Sequence, residues 1–356
     1  MNPYLAVAAL IGVVSVMLML PIIPAMVELQ RKSDATPLHV VPQNAGEIRH
    51  FADGFRTYLR ALQPTLQQCM ASGTAATGTM PDGAAYFVVG GANETPWFLL
   101  RQNSVCPFVI AAGGDLTVPD ETTFANDVYS GGSFVGGEKN YYRALLGEKN
   151  VQLGPCSRVM RWAHAVGDFH ASAGCQLYGR VSSDSVLRLD RNCSFLRLNA
   201  PRIVTGRAEN GNFAPPDSNF SAEAFPIAPQ RFLYDGDFVI GAGEVIRGNL
   251  VVRGKLRIAA GAKVCGSVKS GKDMVLETGV CVEGSLISGR KMRVGSACSV
   301  RGPVIAEREM FIAAGTQCGS LQNPTTASSP RIVVEEGVTV FGTLWARESG
   351  QVVGKG

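Results

Sequence analysis

Two histidines and a carboxylate in one short stretch are the residues best suited to proton transfer or metal binding. The stretch RWAHAVGDFHAS contains His164, Asp168 and His170. A histidine there could take the proton from an amine or hydroxyl during acyl transfer, and with Asp168 the pair could ligate a metal ion. A surface turn with ordinary histidines is the simpler explanation, and we adopt it. We therefore expect no catalytic residue, metal or cofactor, and no enzyme.

Cysteines and aromatic residues offer two further kinds of site. The nine cysteines are odd in number and form no CxxC pair, which argues against a disulfide framework and favours a reducing compartment. Aromatic side chains late in the chain could contact sugars, although packing at the edge of the fold explains them as well. The candidate zinc ligands are Cys265, Cys281, Cys298 and Cys318. We reject a zinc site because these cysteines occupy different phases of the repeat described below. The candidate sugar contacts are Trp162, Phe341 and Trp345.

The composition and the N-terminus set the location. A net charge of +4 from 33 basic and 29 acidic residues argues against a nucleic-acid binder. The run from Leu5 to Val27 is uncharged and exceeds the ~20 residues that a membrane-spanning helix requires. Arg31 and Lys32 follow it, so the positive-inside rule predicts a single-pass inner-membrane protein with its N-terminus out and its bulk in the cytoplasm. A cleaved signal peptide is the alternative.

From about residue 237 the chain repeats every six residues, and apolar or small residues occupy one phase. A second period of 18 divides this phase into three columns, which predicts a triangular coil with three flat faces. The columns are Ile240, Ile258, Leu276, Val294 and Ile312; Val252, Ser270, Ser288 and Ala306; and Ile246, Val264, Val282, Val300 and Cys318.

Glycines at fixed phases mark the corners of this coil. They indicate positions that need left-handed backbone or a close approach between chains. The pattern breaks at LQNPTTASSP (321–330) and resumes at Val334, and a second run extends from Leu153 to Pro201 with Asn192 at a corner. The corner glycines are Gly243, Gly261, Gly279 and Gly315 in one series, and Gly248, Gly266, Gly284 and Gly302 in the other.

The sequence therefore predicts a mainly β protein: a triangular β-solenoid with about 18 residues per coil, an N-terminal transmembrane helix and a small mixed α/β segment. About ten coils of ~4.8 Å would give a rod on the order of 50 Å long. The expected organisation is a transmembrane anchor (1–30), a linker (31–45), a mixed α/β segment (46–128), a first β-solenoid segment (129–204), a long loop (205–236) and a second β-solenoid (237–356).

The C-terminal block resembles the bactofilins, which are polymer-forming cytoskeletal proteins of bacteria. The resemblance lies in the apolar-x-Gly-x-apolar units of GNLVVRGKLRI, GAKVCGSVKSG, GVCVEGSLISG and SVRGPVIAER. It implies a triangular β-helix that polymerises end to end without nucleotide, gathers on the inner face of the membrane and positions envelope-building enzymes. The anchor and the additional solenoid segment depart from the usual family pattern.

These observations predict a membrane-anchored bactofilin-like scaffold that organises cell-envelope or polysaccharide synthesis machinery. Its expected partners are the inner membrane, those biosynthesis proteins and a second copy of itself, with no nucleic acid. Self-association is expected through an uncapped C-terminal coil containing Phe341, Trp345 and Val352, with residues 46–128 covering the opposite end. A hexapeptide-repeat acyltransferase and a carbohydrate-binding solenoid module are the alternatives.

Overall fold

The computed structural model describes residues 3–20, 49–90, 104–206 and 230–354, in two compact units, 1–47 and 48–356. In the first unit, helix α1 (Pro3–Met19) is formed by the uncharged N-terminal run. No helix in the described part of the chain has both the length and the apolar character needed to cross a membrane. The remainder of the expected span and the linker 31–45 lie outside the described residues.

The second unit begins with a helical hairpin. Helix α2 (His50–Leu59) is followed by a 3₁₀ turn (Arg60–Leu62) and helix α3 (Gln63–Ser72), which ends at Gly73 in left-handed backbone. The buried residues Phe55, Leu59 and Leu62 recur at the spacing of one helix face. The hairpin is therefore amphipathic and needs an apolar surface to cover.

Strand β1 (Ala76–Thr79) pairs in the antiparallel sense with β2, and β2 opens a parallel ladder that continues through the first solenoid. The strands of this solenoid are β2 (Ala85–Val89), β3 (Val105–Cys106), β4 (Val109–Ala112), β5 (Leu116–Val118), β6 (Thr123–Phe124), β7 (Val128–Ser130), β8 (Phe134–Gly136), β9 (Tyr141–Gly147), β10 (Val151–Leu153), β11 (Arg158–Ala165), β12 (Phe169–Ala171), β13 (Gln176–Ser183), β14 (Val186–Leu189) and β15 (Ser194–Thr205).

The predicted boundary at residue 129 is wrong, because the ladder already includes β2. Phe87 pairs with Ile110, and Ile110 pairs with Val128. The first of these steps is longer than the usual 18 residues, since it includes residues 91–103, which lie outside the described residues. This longer step hides the start of the ladder, although the steps from β3, β4 and β5 already have the usual length.

The second solenoid is a ladder of parallel strands. Its strands are β16 (Arg231–Tyr234), β17 (Phe238–Ile240), β18 (Val245–Arg247), β19 (Asn249–Val252), β20 (Leu256–Ile258), β21 (Lys263–Cys265), β22 (Val268–Ser270), β23 (Met274–Leu276), β24 (Cys281–Val282), β25 (Leu286–Ser288), β26 (Lys291–Val294), β27 (Ser299–Val300), β28 (Val304–Ala306), β29 (Glu309–Ile312), β30 (Gln317–Cys318), β31 (Thr325–Glu335) and β32 (Thr339–Val353). The step between paired strands is 18 residues up to β30, and it is followed by a longer step into β31 and β32. Together the two solenoids make about 13 turns, or ~60 Å of stacked coils.

The predicted columns form the core, and the β-solenoid prediction is confirmed. Every column residue of the second solenoid is buried except Ile246, which is half-buried. Upstream, Pro201 is exposed and Ala200 takes its place, because the coil between Arg180 and Arg197 is one residue shorter than the others. The predicted loop 321–330 is also partly wrong: β31 begins at Thr325, where alternate polar residues point inward.

The two glycine series have different physical causes. The first series has positive φ, and it continues upstream through non-glycine residues such as Asn192 (φ 61). The second series is glycine because a Cβ atom would collide with the preceding coil. A Cβ at Gly302 would lie 2.6 Å from the carbonyl carbon of Gly284 in the preceding coil, so only glycine permits the close stacking at this corner.

The two solenoids meet end to end in one antiparallel ladder. The last coil of the first, β15, pairs with the last coil of the second, β32, from Ser194↔Gln351 to Val204↔Thr339. We call this ladder the seam. It joins the two solenoids with opposite chain directions, and the two hydrophobic columns become one continuous core.

Candidate functional site

The three residues predicted to form a free C-terminal end lie in the seam. Val352 is buried and its backbone N–H donates to the Cys193 carbonyl at 2.8 Å. Trp345 pairs with Arg197 across the seam, and Phe341 is half-buried in the same strand. The expected uncapped edge is therefore wrong at this end, because the first solenoid supplies the strand that covers it.

Of residues 46–128, expected to cover the opposite end, strand β1 covers one face of that end by pairing with the outer edge of β2, whereas the helical hairpin packs on a side face. Its buried residues join Val88, Ala111 and Leu146 in one cluster on the same face, with the partly buried Tyr129 in the coil between the last two. Trp162 completes that face, with its ring 5.6 Å from Phe55 in an edge contact. The hairpin therefore covers a flank of the first solenoid.

At the start of the second solenoid, the first coil, residues 231–247, has no described neighbour on one side, and we call it the open coil. Its strands β16, β17 and β18 pair only with β19, β20 and β21 among the described strands. The Phe238 N–H donates to Lys255 of the next coil. Because successive N–H groups of a strand alternate in direction, the N–H of Val239 points to the open side.

The side chains of the open coil show the same lack of cover. Ile246 is half-buried, whereas Val264 and Val282 of its column are fully buried. Phe232, Tyr234 and Phe238 are also only partly buried, although they pack against the core. Tyr234 and Phe238 stack with ring centroids 3.9 Å apart. Within the described ranges, this end presents backbone without a strand partner and an apolar interior, which together suit another strand-rich edge.

The predicted candidates for proton transfer do not converge. His164 is buried beneath α2, where its Nδ1 lies 2.9 Å from Ser182 Oγ and its Nε2 lies 3.7 Å from an Asp184 oxygen. His170 lies on a different face, 3.2 Å from Asp190. Burial lowers the pKa of His164, and the carboxylate of Asp184 opposes that shift only in part. His164 is thus a neutral packing residue in a polar contact.

Asp168 links two successive coils through hydrogen bonds. Its side chain accepts a hydrogen bond from Ser185 Oγ at 2.6 Å and another from the Val186 N–H at 3.2 Å. Both partners belong to the next coil, so the carboxylate is used in stacking coils. Within the described ranges, no three His, Cys, Asp or Glu side chains form a group that could hold a metal ion.

The cysteines are free thiols, with Cys69 in α3 and the others spread through the solenoids. Cys298 and Cys318 are buried, whereas Cys265 and Cys281 are half-exposed. Cys298 occupies a buried position directly after a left-handed corner, which the six-residue period does not include. The sequence signal for this inner corner column is its own 18-residue spacing through Ala262, Val280, Cys298 and Thr316, all buried.

A cleft of ≈350 Å³ lies between α2 and the first solenoid. Its polar wall contains Tyr58, which donates to Asp82 at 3.0 Å, and Arg143, whose Nε lies 3.2 Å from Asp127. Burial, followed by the Asp82 contact, raises the pKa of Tyr58 to about 12. Burial also raises the pKa of Asp127, against the effect of Arg143. The walls of this cleft come from distant segments, so no sequence motif marks it.

Comparison of the chain with family models, with curated proteins and with solved structures finds no match in any of the three.

Proposed function

We propose that this protein is a membrane-associated, bactofilin-like scaffold without catalytic activity, and that copies associate through the open coil. The single observation that carries this proposal is the half-buried state of Ile246 at the end of a column whose other members are fully buried. A second copy would complete the stack by pairing β16, β17 and β18 with their counterparts. Such an isologous contact would make a two-fold symmetric dimer.

The seam supports this mode of association because it is an example of the same contact within one chain. There, two terminal coils pair in the antiparallel sense and bury residues such as Leu198 and Leu344 on the two sides. Two open coils that meet about a two-fold axis would pair in the same way. Because the seam occupies the other end of the second solenoid, the open coil is the end of that solenoid without a described neighbour.

The proposed location follows from the uncharged run Leu5–Val27 and the basic residues after it. This run would hold the scaffold at the inner membrane, with the solenoids in the cytoplasm. The resemblance to bactofilins adds the proposal that the scaffold gathers cell-envelope or polysaccharide synthesis proteins there. The buried position of His164, which is 1% exposed, favours this scaffold over the acyltransferase alternative.

The test is the mass of the full-length protein in a mild detergent, measured by light scattering after size exclusion. We expect the wild type to be a dimer or a larger species, and Ile246→Arg to be a monomer, because arginine would place a charge in the stacked core. Val245→Arg is the matched control, since Val245 lies next to Ile246 and its side chain already points to solvent. A wild type that stays monomeric at high concentration would refute the proposal.

A further inference from the structure

Four outward-facing side chains form a line along one face of the first solenoid and across the seam. Trp162 pairs with Arg180, Arg180 pairs with Arg197, and Arg197 pairs with Trp345 of the second solenoid. Successive members are therefore one coil apart, or ~4.8 Å along the stack. Since Arg197 and Trp345 belong to different solenoids, this line exists only where the two solenoids meet.

Each arginine of this line rests on an aromatic ring. The guanidinium carbon of Arg180 lies 5.2 Å from the Phe51 ring centroid, and that of Arg197 lies 5.1 Å from the Trp345 ring centroid. Stacking of this kind holds a guanidinium by its flat face and leaves its N–H groups available at the edge. The rings thus position two adjacent sets of hydrogen-bond donors.

Neither guanidinium has a carboxylate partner among the described residues. By contrast, Arg257 pairs with Glu277, and Arg143 lies 3.2 Å from Asp127. Burial lowers the pKa of Arg197, and the positive charge of Arg180 lowers it further. Two neighbouring positive charges without a counter-charge are unfavourable on their own, so their placement indicates a site that is completed by an anion.

The surroundings of the two arginines define the shape of that ligand. Tyr178 and Arg347 lie two residues along from Arg180 and Trp345 in their strands, and both are exposed. The clefts beside α2 and around Phe311 lie elsewhere and do not include the two arginines. The arginine line is thus an exposed strip outside both clefts, which suits an extended chain better than an enclosed small molecule.

We propose that the line Arg180–Arg197–Trp345, with Tyr178 and Arg347, is a binding site for an acidic polysaccharide, whose carboxylates or phosphates contact the guanidiniums. The exposed rings of Tyr178 and Trp345 provide amphipathic surfaces for the sugar rings between the charged groups. A nucleic acid is the less favoured polyanion because the protein has a net charge of only +4. This inference does not depend on association through the open coil.

The test measures binding of four probes to the full-length protein in detergent by isothermal titration calorimetry. The probes are an oligogalacturonate, a phosphomannan oligomer, a neutral cello-oligosaccharide and an oligo(dT) of similar length. We expect one or both acidic glycans to bind, with an affinity that falls as salt rises, because the contacts are ionic. Their relative affinities distinguish carboxylate from phosphate as the preferred group.

Variants locate the site. Arg197→Gln should weaken glycan binding on the order of tenfold, which corresponds to one charged hydrogen-bond partner, and Arg180→Gln with Arg197→Gln should abolish it. Arg257→Gln is the matched control, since that exposed arginine already has a carboxylate partner. Thermal unfolding of each variant verifies the fold. Equal binding of the neutral glycan, tighter binding of oligo(dT), no binding of either acidic glycan, or unchanged binding by the double variant would overturn the proposal.

Discussion

Leu198 of the first solenoid pairs with Leu344 of the second in an antiparallel ladder, and both side chains are fully buried. This pair lies at the centre of the seam, where two solenoids of opposite chain direction become one stack. The chain thus covers by itself the end that we expected to be free. The second solenoid instead has its end without a described neighbour at the open coil, far from the seam.

The seam should contribute strongly to stability. Leu344→Asp would bury a charge between the two terminal coils, and we expect it to lower the free energy of unfolding by about 4 kcal/mol. Ser349→Asp is the control, since Ser349 is exposed on the same strand. Denaturant unfolding followed by circular dichroism measures the difference. Similar denaturation midpoints for the two variants would contradict the burial of Leu344 in the seam.

The two glycine series should differ in their response to alanine. Gly279 (φ 71) has room for a Cβ, and Ala297 already adopts left-handed backbone at the equivalent corner, so Gly279→Ala should cost only about 1 kcal/mol. Gly302→Ala would force the backbone away from Gly284 and should cost about 3 kcal/mol. Thermal unfolding measures the loss of stability in each variant. A larger loss for Gly279→Ala than for Gly302→Ala would show that backbone conformation, and not space for a Cβ, limits both corners.

The sequence predicted the regular part of this fold because each coil contributes the same three buried positions, as Val264 and Val282 illustrate. It did not predict the start of the ladder at Ala85, since the first long step hides the period. The seam was also not predictable from the repeat, because periodicity describes contacts between neighbouring coils and not the antiparallel pairing of Leu198 with Leu344. The arginine line was missed for the same reason: Arg197 and Trp345 become neighbours only through that pairing.

Stability should fall on mild acidification because of His164. Burial holds the pKa of this histidine below its usual value, so the unfolded chain binds a proton that the folded chain does not. The free energy of unfolding is therefore unaffected by His164 above pH ~6.5. It decreases as the pH falls from there toward the pKa of the folded state, by at most about 1.4 kcal/mol per pH unit. His164→Asn should flatten this slope. Unfolding free energies measured between pH 7.5 and 5 would refute the assignment if this variant retained the wild-type slope.

The hairpin of α2 and α3 should detach locally when one arginine is removed. Arg56 of α2 donates to both carboxylate oxygens of Glu148 at 2.8 Å, and these hydrogen bonds raise the pKa of its guanidinium. The side chains of Arg56 and Glu148 are 30% and 25% exposed, so Arg56→Gln would leave a carboxylate that is mostly shielded from water without its partner. We expect a loss of about 1 kcal/mol in the stability of the hairpin.

Hydrogen exchange followed by mass spectrometry checks this expectation. Peptides covering residues 50–72 of Arg56→Gln should exchange faster, whereas peptides from the second solenoid should match the wild type, because local opening leaves the coils stacked. Arg49→Gln is the comparison variant: Arg49 also contacts a carboxylate, Asp184, at 2.9 Å, but its side chain is 58% exposed, so its effect on the same peptides should be smaller. An equal acceleration in both solenoids would mean that the hairpin and the coils unfold as one unit.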